Sequence, residues 1–498
     1  MEFFTFDSDV STVPSWMPLL RQSFICSGVV TFYFIHGLFV GAPTVFIPQL
    51  KREHNSTDSI DLSMESWLSS ALFYSSIPWS VIIPIFAYYF GRKKTEIIIC
   101  FDTMISSVML YYSTSPSQII VSQIIIGMLP AGHLTISLMV LTEYFSPKYR
   151  GIFMTVKSAT VFWGIWMSNA IGTYFHWSNI AILSLVCSAY TLSTFLWTES
   201  PYWLASKGRF RECVETHRWL KGTDAEAEEE LKRLIDYHKS HFNSRNTKRH
   251  ILMLKSMFNA IAETSFYKPL LIATLTICLY QISGKFAFSI YAIRILKDIT
   301  VSEFTAYNGM LILDGITILG MYVGSSFSKF LKRRTMILYA SSIGATFLLI
   351  LSVYLYLIEF KIISDNKYVS IPLLAAYSMS MSCGPMIMSL CLCGELSPLQ
   401  NRSLFFCVLC IIFNSLMAVT IKMSPYLFKS VGLRGSFLFY GIGSYAVIAL
   451  LFKYLPETKD KTILEVQKYF EGNFCIKNEN EVMLTERRLL EIRQPRSY

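Results

Sequence analysis

This sequence is short of charge. Asp, Glu, Lys and Arg make up 16% of its 498 residues, where a soluble domain carries roughly 25%, and the deficit gathers in long apolar runs. A soluble fold is excluded. The phosphate-cradling pattern Gly-x-x-x-x-Gly-Lys-Ser is missing, as is any nucleophile–base set or metal-ligand cluster outside the apolar runs. The chain therefore reads as no enzyme, with no catalytic residue, metal or cofactor. Residues 1–20 hold Glu2, Asp7 and Asp9 and lack a basic start before an apolar core, so the first span, not a cleavable leader, is expected to direct insertion. Histidine is lacking around Cys391/Cys393 and Cys407/Cys410, which makes these small buried residues and not ligands.

Hydrophobic residues are abundant, at 53% with a mean hydropathy of +0.43, and aromatics reach 15%, a content that suits membrane interfaces. A helix crosses a bilayer core with about 20 apolar residues, and lipid leaves helices as the spanning form because backbone groups must be satisfied within the segment. The runs predict an all-α membrane protein of twelve transmembrane helices, near 26–49, 66–90, 95–113, 117–141, 152–173, 178–197, 269–295, 303–328, 335–358, 369–393, 403–427 and 435–455.

The net charge of +10 does not indicate nucleic acid, because Lys and Arg cluster in short loops, where they orient spans. Arg92, Lys93 and Lys94, then Lys148 and Arg150, then Lys329, Lys332, Arg333 and Arg334, then Arg402 fall on one side. Loops 112–118 and 173–179 hold neither Lys nor Arg, although Lys361, Lys367, Lys429 and Arg434 blur the bias. Both termini are expected in the cytoplasm, with the plasma membrane as the residence. Asn55-Ser56-Thr57 is then an external glycosylation sequon, whereas Asn401-Arg402-Ser403 lies inside and stays unused.

The expected divisions are an N-terminus (1–25), a six-helix half (26–198), a cytoplasmic linker (199–267), a second six-helix half (268–455) and a polar tail (456–498). In the linker, Glu228 with Lys232 and Glu229 with Arg233 stand in the favourable i,i+4 order. Leu231, Leu234 and Ile235 form one stripe, which predicts short amphipathic helices.

Short patterns recur in both halves. Gly91-Arg92-Lys93 after span two matches Lys332-Arg333-Arg334 after span eight. Glu143 and Arg150 match Glu395 and Arg402, seven residues apart in each case. Glu199-Ser200-Pro201 after span six matches Pro456-Glu457-Thr458 after span twelve. Three pairs in one order point to duplicated, pseudo-symmetric halves, with a solute site midway between them. Arg92, Glu143, Arg150, Glu199, Arg333, Glu395, Arg402 and Glu457 are therefore candidate gating residues. They are expected to pair as the halves close on this face and to separate as it opens. Partly exposed pairs worth about 1 kcal/mol each suit two states within a few kcal/mol. The plainer alternative is that the basic residues only fix topology.

These residues resemble the sugar porter family of the major facilitator superfamily, and within it the insect facilitated trehalose transporter-like group, over about residues 20–472. The resemblance rests on Glu199-Ser-Pro-Tyr-Trp-Leu-Ala-Ser-Lys-Gly-Arg209, Gln281-Ile-Ser-Gly284, Gly384-Pro385, Glu395-Leu-Ser-Pro398 with Arg402, Phe413-Asn414, and Pro456-Glu-Thr-Lys459 running into Thr462-Ile-Leu-Glu-Val-Gln-Lys-Tyr-Phe470. It implies the major facilitator fold and passive uniport of a sugar, trehalose or a hexose, by alternating access. Of the implied sugar contacts, Gln281 and Asn414 are present. Ser158, Tyr280, Phe286 and Leu390 stand where the family carries Gln, Gln, Asn and Trp. Amides both donate to and accept from hydroxyls, so each loss removes about 1 kcal/mol of binding. Tyr88 and Tyr89, and Lys329 and Phe330, replace the family's Asp-Arg, and Gln123 replaces an Arg, which thins the charge lattice. Phe39 stands where proton-coupled members carry an acid, which argues against proton symport.

Lys285 and Arg294 in span seven, Asp314 in span eight and His36 in span one are ionisable. Such residues mark solute or ion paths by default. Lys285 and Asp314 are expected to pair in the path and read a charged solute or a proton, while Arg294, near a helix end, snorkels. Three readings stay open: a facilitative sugar carrier, a divergent carrier of another small polar or charged solute, and a non-transporting sensor on the same scaffold. The expected partners are a small solute and the lipid bilayer, with no nucleic acid.

Overall fold

A computed structural model describes residues 16–53, 60–245, 263–300, 303–364, 366–398, 402–459, 461, 466, 469 and 470. At 147–152, 154, 155, 240–245, 300 and 367 only the backbone is described. Asn55, Asn401 and the side chain of Arg150 thus lie outside the described residues.

The architecture is all-helical, with twelve spans. The first three are Met17–Glu53, Leu62–Phe90 and Arg92–Tyr111. Span four comes in three pieces, Pro116–Ile125, Met128–Leu134 and Ile136–Glu143. Span five is Pro147–Tyr174, and span six is Ser178–Thr191 with a 3-10 extension, Leu192–Leu196. Span seven is again in pieces, Thr264–Ile282, Lys285–Ile290 and Ala292–Thr300. Glu303–Phe327 and Arg333–Glu359 follow, then a divided span ten, Lys367–Cys383 and Pro385–Leu396, and finally Arg402–Ser430 and Gly432–Tyr454. Ten of these are long and apolar enough to cross a membrane. Spans three and five, which carry the basic clusters at their starts, complete the bundle. Exposed apolar side chains such as Ile105, Val186, Leu319, Ile343, Val353 and Ile442 face outward, as lipid requires. The chain is a multi-pass membrane protein.

Span one begins nine residues before the apolar run predicts. Arg21 and Gln22 interrupt that run in sequence, yet they extend the helix because they have partners. Arg21 Nη1 donates to the Trp219 carbonyl at 2.8 Å and Gln22 Nε2 to that of Leu220 at 3.0 Å, which ties span one to the linker.

Within the first half, spans one and five touch backbone to backbone. A Cβ on Gly37 would lie 2.0 Å from the Val161 carbonyl oxygen, and one on Gly164 would lie 2.3 Å from that of Phe34. Small residues allow such approach where no hydrophobic effect drives helices together. The halves meet along two helix pairs, two with eleven and five with eight. We call the side bearing the linker, the start of span one and the ends of the even-numbered spans the linker face, and the opposite side the far face.

The break in span seven is stabilised by its neighbours. Gly284 adopts the left-handed conformation, φ 76°, which a side chain would strain. The Ser283 carbonyl freed there accepts from Tyr377 Oη at 2.7 Å, and that of Ile282 from Ser444 Oγ at 3.1 Å. Interrupted helices persist at membrane depth where other groups satisfy the freed backbone in this way.

Three helices form the described linker: Pro201–Ser206, Phe210–Lys221 and Ala225–Arg245. Trp203, Leu204, Cys213, Leu231 and Leu234 bury a small core of their own. Glu229 pairs with Arg233. Glu228 does not pair with Lys232 but reaches across to Arg218 at 2.7 Å, because packing of the second and third helices brings that guanidinium closer. Lys221 likewise pairs with Glu230 at 2.7 Å.

Candidate functional site

Polar side chains with open hydrogen-bonding capacity gather midway along the spans, between the halves. Gln281 ends the first piece of span seven. It is 3% exposed, and neither its oxygen nor its nitrogen has a partner among the described residues. Asn414 of span eleven donates from Nδ2 to Ser80 Oγ of span two at 3.2 Å, across the halves, while its Oδ1 stays open. Asn169 of span five donates to Asp314 Oδ2 of span eight at 2.6 Å, also across the halves, and its Oδ1 is open as well. Such groups are rare in folded proteins, because a buried polar atom without a partner costs about 1–3 kcal/mol.

The substituted positions build an aromatic wall. Tyr280 stacks against Phe286 and Phe413, with centroids 5.5 Å apart in both cases, and Phe286 meets Phe162 of span five at 5.6 Å. Where the resemblance implies amides, this chain offers ring faces. Ser158 on span five and Leu390 on span ten are half-buried.

Lys285 and Asp314 do not touch, contrary to expectation. Lys285 Nζ donates to Ser378 Oγ at 2.6 Å, and Ser378 meets the Thr317 hydroxyl at 3.0 Å. Asp314 accepts from Asn169 and, at 3.3 Å, from Ser289. Small polar side chains of neighbouring helices satisfy each ion separately, and the two share a water-sized cavity of about 20 Å³. Arg294 reaches the far face, where it lies 3.6 Å from Glu65, because the start of span two brings that carboxylate to it. His36 is buried, its ring centred 4.6 Å from that of His133.

At the linker face, one charged cluster occurs twice. Arg92 binds Glu143 through Nε at 3.0 Å and Nη2 at 2.8 Å, and its Nη1 reaches the Ala87 carbonyl. Ser200 Oγ also donates to Glu143. Glu199 accepts from the backbone N–H groups of Arg92, Lys93 and Ser200, so it caps span three, where a carboxylate complements the helix dipole. Burial lifts the Glu199 pKa above its ordinary value, against the pull of those N–H groups. In the second half Arg333 binds Glu395 at 3.3 Å and the Ser328 carbonyl at 2.6 Å. Thr458 Oγ1 donates to Glu395 at 2.6 Å, and Glu457 caps span nine through the N–H groups of Arg333 and Arg334. The repeat extends to individual hydrogen bonds. The contacts described for each cluster lie within its own half; pairing across the halves is expected when this face closes. In each half the carboxylate after span six or twelve seals the start of span three or nine beside the same Arg. Arg402 lies over the Phe406 ring. Tyr88, at one of the departures from the family pattern, sits under the Lys207 ammonium, 4.1 Å from the ring centre.

The ion pairs that join the halves among the described residues are on the far face. Arg52 pairs with Glu303, and Arg294 with Glu65. Ser66 donates to the Lys422 carbonyl at 2.8 Å, and the Lys422 ammonium lies 3.2 Å over the Trp67 ring. A vestibule of about 520 Å³ opens beside them, lined by Thr44, Ile47, Glu65, Tyr291 and Arg294 among others. Of the central groups, sequence reasoning passes over Asn169 and His133. Their signal is only a polar letter inside an apolar run, such as Met167-Ser-Asn-Ala170.

The family described as "Sugar (and other) transporter" matches residues 24–470. The chain is 24% identical over 483 residues to a facilitated trehalose transporter Tret1 of Culex quinquefasciatus, covering 94% of this chain and 90% of that one. It is 23% identical over 423 residues to the Tret1 of Apis mellifera ligustica, covering 84% and 82%. Among solved structures, it is similar to the proton:xylose symporter XylE, of the major facilitator superfamily, bound to 6-bromo-6-deoxy-D-glucose. That match has a TM-score of 0.72 and 15% identity, covering 92% of this chain and all of the other. The inward open form of XylE from E. coli matches with a TM-score of 0.69 at 14% identity, covering 90% and 99%. These likenesses carry the fold.

Proposed function

Since the chain belongs to the sugar (and other) transporter family, we propose that it is a facilitative sugar uniporter that works by alternating access between its two halves. The carrying observation is Gln281, a buried carboxamide with both polar atoms open. A sugar presents hydroxyls that donate and accept, and a carboxamide can meet both. Open oxygens on Asn414 and Asn169 add acceptors, and the Tyr280–Phe286 wall offers a face to a sugar ring. Trehalose and hexoses are the first candidates, in keeping with the names of similar proteins.

In this reading the linker face is cytoplasmic and the membrane is the plasma membrane, with Asn55 outside as a glycosylation site. The two clusters around Arg92, Glu143 and Glu199, and around Arg333, Glu395 and Glu457, hold each half rigid at its cytoplasmic end. Arg150 and Arg402 follow them in sequence and act between the halves as they close. The far-face ion pairs oppose opening outward.

Radiolabelled uptake by purified protein in liposomes tests this. Saturable flux of glucose or trehalose that is unaffected by a protonophore is the expected result. Absence of flux for every sugar tried, with correctly inserted protein, overturns it.

A further inference from the structure

A second polar group lies in the first half, facing the same centre, and the sugar reading does not use it. Lys157 is 8% exposed and stands ten residues into span five, about 15 Å from its start at 1.5 Å per residue. That depth is too great for snorkelling. Its ammonium donates to Tyr33 Oη at 3.2 Å, a neutral partner, and no carboxylate lies within 4 Å of it among the described residues. The buried carboxylates are engaged elsewhere: Glu96 accepts from Ser137, Glu65 pairs with Lys51 and Arg294, and Asp314 is engaged by Asn169 and Ser289. Beside Lys157, Tyr33 and His133 rings meet at 3.3 Å and His36 and His133 rings at 4.6 Å. His36 Nδ1 and His133 Nε2 are buried without partners. Spans one, four and five therefore bring three nitrogen groups with unspent capacity together, and the cation among them has no counter-ion among the described residues.

An uncompensated ammonium at membrane depth is expensive and is found where it meets a partner in function. We propose that the solute carries that partner: the central site takes a sugar acid. Its carboxylate docks on Lys157, His36 and His133, and its hydroxylated ring lies toward Gln281 and the aromatic wall. The Phe162–Phe286–Tyr280 contacts run from the helix of Lys157 to the helix of Gln281 and set an aromatic face between them for the sugar ring. This rests on the sugar-carrier reading and narrows it, since the cation selects for charge and the amide for hydroxyls. A uniporter of such a solute moves one negative charge per cycle.

Uptake of radiolabelled D-glucuronate, D-glucose and L-lactate into liposomes, in wild type and in Lys157→Gln, decides the matter. Wild type should prefer glucuronate to glucose, and an inside-positive potential should accelerate its entry. Charged hydrogen bonds are worth more than neutral ones, so Lys157→Gln should lower the glucuronate-to-glucose ratio about tenfold or more. His36→Gln should lower it in the same direction, and because a ratio is read, reduced folding of either variant does not affect the result. Glucose transport without glucuronate transport, or a ratio unchanged in both variants, overturns the acid proposal and leaves the sugar carrier standing. Lactate transport with neither sugar carried, or no transport at all, overturns both.

Discussion

Replacing Gln281 with leucine should strengthen the fold and weaken binding at once. Leucine has nearly the same volume, so packing against Tyr280 and the helix break at Gly284 changes little. What disappears is a buried amide whose two polar atoms lack partners. Each costs about 1–3 kcal/mol when fully dry. A solute site admits some water, so the combined relief is on the order of 2 kcal/mol. In a chain of 498 residues that raises the apparent melting temperature by about 2 °C. Without the amide the solute loses about two hydrogen bonds, roughly 1 kcal/mol each, and KM should rise ten- to thirtyfold. The solute should also cease to stabilise the purified protein against heat. Thermal unfolding in detergent and uptake kinetics in liposomes measure the two sides. A lower melting temperature with KM unchanged would show that the amide is a structural residue whose partners form only in another state, and would refute the placement of the site.

Glu143→Gln should slow turnover about five- to tenfold, equivalent to roughly 1 kcal/mol, with KM changed less than twofold; the reverse pattern refutes a gating role. Asn169→Leu leaves the Asp314 carboxylate without its 2.6 Å donor and should destabilise by about 1.5–3 kcal/mol. Adding Asp314→Asn should recover part of that, and no recovery would mean that the bond between the halves is incidental. His217 in the linker is held neutral by burial, its pKa lowered to about 4, against about 6.5 when unfolded. The unfolded linker therefore binds the proton more readily, so linker stability is complete above pH 6.5 and is lost as pH falls from 6.5 through 4. Hydrogen exchange across 201–239 should show this, and His217→Leu should flatten the profile.

The spans were legible because apolar length is a strong signal, and the duplicated halves because charged motifs survive at helix ends. The breaks in spans four, seven and ten were not, since a single Gly in an apolar run says nothing about whether Tyr377 or Ser444 waits to donate to the freed carbonyls. Gln281 and Asn414 were found through resemblance, but that Gln281 is unpartnered is a fact of packing. The Lys285–Asp314 contact fails because small polar side chains, individually uninformative in sequence, intercept both ions: Ser378 meets Lys285, and Asn169 and Ser289 meet Asp314.

The duplicated clusters have a practical corollary. In each, the piece that completes the contacts comes after the last helix of its half: Glu199 and Ser200 from the linker, Glu457 and Thr458 from the tail. Each half is thus buckled shut by its own trailing sequence. A truncation or fusion joint placed at 455, though it leaves every membrane helix whole, would unbuckle the second half and uncap span nine, whereas one placed after 470 would spare both contacts. The end of the last helix is therefore not the end of the folded unit.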